Sequence, residues 1–252
     1  MRPGKSYFRI YAAIAVSLVV LIIMNLILGS VIIPVRELFA SITNNSSISY
    51  VNDILWNFRI PKVITALLAG VALSVCGLQM QTLFRNPLAD PFILGISSGA
   101  GLGVALFVMG SSAFGITMAG SIFFNLGIAA AAWAGAAGVT LLILLVSHRL
   151  KENSSLLIFG IMIGSITSAI ITLIQYFSSS SELKAFVTWT MGSFSGLTSA
   201  QIWIMSMLVF PGIVLSVYNI KEVNILLQGE AYAKSLGLNL ERTRRRILIA
   251  TT

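Results

Sequence analysis

Few side chains in this sequence are equipped for chemistry, and they gather in three short stretches. The longest is Lys221 to Arg246, KEVNILLQGEAYAKSLGLNLERTRRR; the others are Arg59-Ile60-Pro61-Lys62 and Arg85-Asn86-Pro87-Leu88-Ala89-Asp90-Pro91. None of them builds a catalytic constellation. There is no H-E-x-x-H and no G-x-x-x-x-G-K-[ST] phosphate loop. His148 stands alone, without the carboxylates or thiols of a metal site, and the single Cys76 can close no internal disulfide. What remains is the chemistry of recognition: paired cations that can meet acidic groups, a stiff proline turn, and a polar segment shaped for a partner.

The elements that must position these stretches are membrane spans. Apolar residues make up 57% of the chain and charged residues only 10%, against roughly 25% charge in a soluble domain. Mean hydropathy is +0.94. The net charge of +8 then reads as loop lysines and arginines that anchor a polytopic membrane protein, with no call for nucleic acid. Apolar runs at 10–29, 62–84, 92–110, 121–146, 156–177 and 201–220 each approach the ~20 residues a span needs. A seventh run begins near Ile247 and stops at Thr252, so the sequence reads as truncated at its C-terminus. The basic N-terminus leads into the first run without a cleavage site, which predicts an uncleaved span. The N-x-S matches at Asn44, Asn45 and Asn153 read as chance.

With the N-terminus inside, the inner segments hold Arg2, Lys5, Arg9, Arg85, Arg149, Lys151, Lys221, Lys234, Arg242, Arg244, Arg245 and Arg246. The outer segments hold only Arg36, Arg59, Lys62 and Lys184. That asymmetry predicts a cytoplasmic N-terminus and a cytoplasmic 221–246 segment. Within the segment, Glu230 to Leu236 reads as a short helix closed by Gly237, and Asn239 can cap a second helix with Glu241 in its first turn. Pro61 suits the first turn of the second span, and Arg59 and Lys62 would face outward there. The 178–199 segment is too short and mixed to span, and predicts a short helix lying at the outer face or dipping into it. Trp189 and Trp203 suit an interfacial belt. Small residues recur four apart: Ala66, Gly70 and Ser74; Gly95, Gly99 and Gly103; Ala130, Ala134 and Gly138; Gly160, Gly164 and Ser168. That spacing lets helices approach closely. The spans hold essentially no ionisable groups, whereas an ion-coupled transporter keeps such groups at membrane depth, so the energy source would lie outside this chain.

Four stretches, FRIPKVITALLAG (58–70), LFRNPLADPFILGISSGAG (83–101), WTMGSFSG (189–196) and GEAYAKSLGLNLER (229–242), together resemble the permease subunits of binding-protein-dependent ABC importers for iron–siderophores, haem and cobalamin. The resemblance implies an all-α bundle of ten transmembrane helices, of which this chain would hold about six and the start of a seventh. It implies a single permease domain over 1–252 with coupling helices at 221–246, in the cell inner membrane. Its partners would be a second permease subunit, two ATPase subunits that bind ATP and Mg, and an outer substrate-binding protein; the chain itself would need no cofactor. By the same resemblance Arg59 and Lys62 would dock the binding protein, and Asn86 and Leu88 would belong to a cytoplasmic gate. Glu230, Ala231, Ala233 and Gly237 would seat in the ATPase, with Gly237 as a hinge. The 189–196 stretch would be a short outer helix near the pathway entrance. The cargo implied is a ferric siderophore-type chelate, with haem or cobalamin as alternatives. A secondary transporter that needs no ATPase and a non-transporting fragment are the rival readings.

Overall fold

In a computed structural model the chain is described over residues 4–43, 49–111, 122–147, 149–150 and 153–252. His148, Asn44 and Asn45 lie outside the described residues. The helices in order are α1 (Gly4–Ile27), α2 (Val35–Ile42), α3 (Ser49–Ile54), α4 (Ile60–Phe84), α5 (Ile96–Ser111), α6 (Ile122–Ser147), α7 (Asn153–Tyr176), α8 (Ser180–Met191), α9 (Ser199–Tyr218), α10 (Ile220–Leu227), α11 (Glu230–Ser235) and α12 (Leu240–Thr251). A π-helical turn, Leu55–Arg59, joins α3 to α4, and a 3₁₀ turn, Pro91–Leu94, precedes α5. No strand occurs among the described residues, and the fold is an all-α bundle of apolar helices. Among the described residues, five helical stretches are long and apolar enough to cross a membrane: Tyr7–Ile27, Tyr50–Phe84, Phe124–Ser147, Ser154–Tyr176 and Ser199–Tyr218. The expected span at 92–110 is shorter than the others. Its helix, α5, has 16 residues, or ~24 Å of rise. Asp90 caps the 3₁₀ turn through Oδ1, and Gly95 turns left-handed at φ 74°, so the α-helix starts only at Ile96.

The chain falls into two compact units, Met1–Ala69 with Ser193–Met205, and Gly70–Gly192 with Ser206–Thr252. In the first, α1 leaves nearly all its apolar side chains exposed, as a lipid-facing helix does. Ile33, Leu38, Val51 and Leu55 form a small core, with Leu26 and Ile27 of α1 packed against it. The second expected span does not start at Pro61. Helix continues from Ser49 through the π turn into α4, with the Ile60 N–H donating to Leu55 O, five residues back. In a regular α-helix the Pro61 ring would strike the carbonyl four residues earlier, and the wider turn relieves that clash.

In the second unit α5 packs on α6, α7 and α8. Its contact with α6 brings backbone to backbone. A Cβ on Gly103 would stand 2.0 Å from Ala131 O, and one on Gly135 would stand 2.1 Å from Gly99 O. Both positions therefore require glycine. The α5 stripe of small residues is the expected one, and Gly160 of α7 meets Leu94 Cα in the same manner. On α6 the packed face is Ala131, Gly135 and Val139, one residue round from the expected Ala130, Ala134 and Gly138; Gly138 has open space beside it. Gly70 of α4 likewise has nothing against it in this chain. Beneath α8, Val104, Ala105, Val108, Met109 and Phe186 make one core, which the half-buried Trp189 joins beside Phe186. A larger core draws on α4, α6, α7, α10, α11 and α12 and on the turn after α4.

Candidate functional site

The polar segment after α9 folds into three short helices. Gly229 starts α11 from a backbone at φ 112°, which only glycine adopts readily. At the far end the Gly237 N–H donates to Lys234 O at 2.9 Å and the Leu238 N–H to Ala233 O at 3.0 Å. With Gly237 at φ 80° this is a Schellman cap, as the Glu230–Leu236 reading with Gly237 beyond it predicted. Asn239 Oδ1 accepts from the Arg242 N–H at 3.0 Å and opens α12. The Gly237 and Leu238 N–H groups each donate one of these bonds and close the corner between α11 and α12.

The four residues of the expected ATPase contact part company here. Ala231 and Gly237 are exposed and Glu230 is half-buried, but Ala233 is 0% exposed and sits in the large core with Val223, Leu226, Ile247 and Leu248. Ala233 faces its own protein because the short helix turns that side inward. The outward side instead offers Tyr232 and Leu236, both more than half exposed.

The turn after α4 meets this segment. Asn86 N–H donates to Gln81 O at 3.1 Å and Arg85 N–H to Thr82 O at 3.3 Å, a second Schellman cap with Arg85 left-handed at φ 49°. Asn86 Oδ1 accepts from the Leu88 N–H at 2.9 Å, which closes the turn and leaves the Leu88 side chain 80% exposed at its tip. A Cβ on Gly229 would lie 3.6 Å from Arg85 Nη1. Ala89 and Leu94 share the core with Ala233. The turn that carries Asn86 and Leu88 and the coupling segment thus share one hydrophobic core through Ala89, Leu94 and Ala233, while the Leu88 side chain stays outside it.

The four arginines of α12, expected as surface anchors, divide by helical face. Arg242 and Arg245 are exposed. Arg244 is 8% exposed and donates from Nη1 to Leu150 O at 3.1 Å. Burial pulls its guanidinium below the usual arginine value, while Glu230 and Glu241 favour its charge. Arg246 pairs with Glu222 Oε1 at 3.4 Å and lies over the Tyr218 ring at 5.2 Å. The signal for Arg244 was available: Leu240, Thr243, Ile247, Leu248 and Thr251 mark the inward face of α12, and Arg244 falls on it.

The Arg59–Lys62 pair also divides. Arg59 is 7% exposed, and its Nη1 and Nη2 donate to the backbone carbonyls of Leu26 and Val31. Gly29 leaves room for the guanidinium, since a Cβ there would stand 2.9 Å from Nη2. Arg59 therefore ties the α1–α2 link to α4, and of the two only Lys62 is exposed. The 189–196 stretch is not itself a helix: α8 ends at Met191 and residues 192–198 are irregular. The helix runs earlier, from a capping box in which Ser179 and Glu182 satisfy each other's backbone N–H groups.

The sequence profile of the FecCD transport family matches residues 17–252. The chain belongs to this family. Among its relatives, a protein named ABC transporter permease protein MJ0087 from Methanocaldococcus jannaschii is 36% identical over 197 residues, 77% of this chain and 56% of that protein. The vitamin B12 import system permease protein BtuC of Salmonella arizonae is 37% identical over 198 residues, 78% of this chain and 57% of its own length. The chain thus spans a little over half the length of the curated relatives it matches. In fold it resembles a solved metal-chelate type ABC transporter in an inward-facing conformation, at a TM-score of 0.77 and 24% identity, covering 96% of this chain and 72% of that one. The FecCD profile includes all three polar stretches that the sequence singled out.

Proposed function

We propose that this FecCD-family chain acts as a single permease domain, the membrane subunit of a binding-protein-dependent ABC importer. It sits in the cell inner membrane with its N-terminus and its 221–246 segment in the cytoplasm. The observation that carries the reading is the common core of the coupling segment and the 85–91 turn, through Ala233, Ala89 and Leu94. A push on α11 from a partner moves the gate turn that bears Asn86 and Leu88 without a flexible joint between them. The outward side of α11, with Ala231, Tyr232 and Gly237, meets an ATPase that binds ATP and Mg. Lys62 meets an acidic group of the substrate-binding protein, while Arg59 holds its own helix pair in place. A second permease subunit completes the pathway.

For the cargo we propose a ferric siderophore-type chelate. An apolar groove of about 620 Å³ between α5, α6 and α7 has Thr167 as its one polar side chain, and that hydroxyl already bonds Ile163 O and Gly164 O. Such a wall gives little means of choosing among chelates, which leaves the choice to the binding protein. Cobalamin is the second reading, favoured by the vitamin B12 names of several relatives. The test is uptake into proteoliposomes that hold the chain with its ATPase and binding protein. ATP-dependent entry of labelled ferric chelate is expected, and entry of labelled cobalamin instead would move the cargo to the second reading. Uptake that continues without the ATPase would sink the importer assignment and favour a secondary transporter.

A further inference from the structure

Arg244 stands where the apolar spacing of α12 calls for a leucine. A buried cation there carries a desolvation cost that an aliphatic side chain avoids, so its presence asks for a reason. Its Nη1 reaches Leu150 O at 3.1 Å, across 94 residues of sequence. Leu150 lies between the end of α6 at Ser147 and the start of α7 at Asn153, outside both helices. The planar guanidinium fork can hold that carbonyl while Glu230 and Glu241, the acidic residues in the first turns of α11 and α12, favour its charge. Around it the joints are closed. Gly237 is held by its cap, Asn239 opens α12 by its side chain, and Arg246 clamps Glu222 of α10 and Tyr218 of α9. The core beneath joins Val139 and Ile143 of α6 and Leu156 of α7 to Ala233, Ile247 and Leu248.

We propose that Arg244 is a positioning residue that locks the coupling segment to the α6–α7 junction, so that α6, α7 and α10–α12 take a partner's stroke as one rigid block. This deepens the importer reading and rests on it. Without the Arg244 bridge, α11 and α12 would keep their caps and their core but would no longer hold the α6–α7 turn. Hydrolysis would then continue while less of each stroke reached the bundle.

The test compares wild type, Arg244→Met and Arg244→Lys in the permease–ATPase complex with its binding protein, in proteoliposomes. Met keeps the length and loses the donors, whereas Lys keeps one donor. Cargo taken up per ATP hydrolysed is expected to fall about fivefold in Arg244→Met, within the range for residues that carry coupling between sites. Arg244→Lys should recover at least half of the wild-type ratio, and ATPase association should be unchanged in both. A merely structural role would lower uptake and hydrolysis together and leave the ratio where it was. A wild-type ratio in Arg244→Met, or equal damage in the Lys variant, overturns the proposal. Should Arg244→Met not assemble, spin labels at the exposed positions of Arg149→Cys and Arg242→Cys, in a Cys76→Ser background, decide the matter. Their separation is expected to be the same with and without ATP, and a change beyond the width of the distance distribution refutes the rigid block. Absence of ATP-driven uptake in wild type would instead count against the importer reading itself.

Discussion

Gly135 and Gly138 are both small residues on α6, and only one of them has no room to grow. A Cβ on Gly135 would meet Gly99 O at 2.1 Å, whereas nothing lies within 4 Å of the corresponding point on Gly138. Gly135→Val must push α5 away from α6 or distort both, at a cost of about 1–3 kcal/mol. Gly138→Val should be near neutral. Thermal unfolding in detergent checks the pair, and equal midpoints for the two variants would contradict the packing described for α5 and α6. Arg85 poses the opposite question, because it already holds a left-handed backbone at φ 49° that glycine would hold without strain. Arg85→Gly removes that strain, worth about 1–2 kcal/mol, together with the guanidinium that lies against Gly229. The caps of α4 and α11 should therefore survive the change, with amide hydrogen exchange in both no faster than in wild type. Faster exchange in α11 alone would show that the side chain holds the two together.

Among the elements, α11 and α12 were the most legible in advance, because caps are local chemistry. Gly237 and Asn239 announce one helix end and one helix start within three residues, and the structure places both there. What local chemistry left open was what the corner does. In the cap the left-handed Gly237 donates one bond and Leu238 the other. Gly237→Ala should cost about 1–2 kcal/mol of stability through its positive φ, and Gly237→Asn, which tolerates that region, should cost less. Thermal unfolding in detergent reads the difference, and equal losses in Gly237→Ala and Gly237→Asn would contradict the left-handed cap. Other elements were illegible for physical reasons. α6 has adjacent stripes of small residues, 130–134–138 and 131–135, and only the position of α5 selects between them. The π turn before Pro61 could not be read from a proline that suits a helix start equally well. Arg59 and Arg244 are cations whose partners are carbonyls far along the chain, at Leu26, Val31 and Leu150. Backbone acceptors carry no sequence signature, so neither partner could be read in advance, although the apolar spacing of α12 did mark the inward face on which Arg244 lies.

For the molecule as a whole, the reading turns on which side of the membrane the coupling segment occupies. Within the second unit the structure gathers the basic residues of three separate loops at one end. Arg85 lies against Gly229, Leu150 beside Arg149 accepts from Arg244, and Glu222 beside Lys221 pairs with Arg246. α7 departs from that end and is followed by α8, which bears Lys184. Its 24 residues rise ~36 Å, enough to cross a hydrocarbon core of ~30 Å. Lys184 and Lys234 are therefore expected on opposite faces, and the positive-inside rule predicts the cytoplasmic one for Lys234. Both side chains are exposed, so a cysteine at either can be reached by a reagent. In a Cys76→Ser background, a membrane-impermeant maleimide should label Lys184→Cys in intact cells and Lys234→Cys only in inverted vesicles. The reverse pattern would place α11 where no cytoplasmic ATPase could touch it. The core that joins α11 to the 85–91 turn would still exist, but nothing could drive it, and the importer reading would fall with the topology.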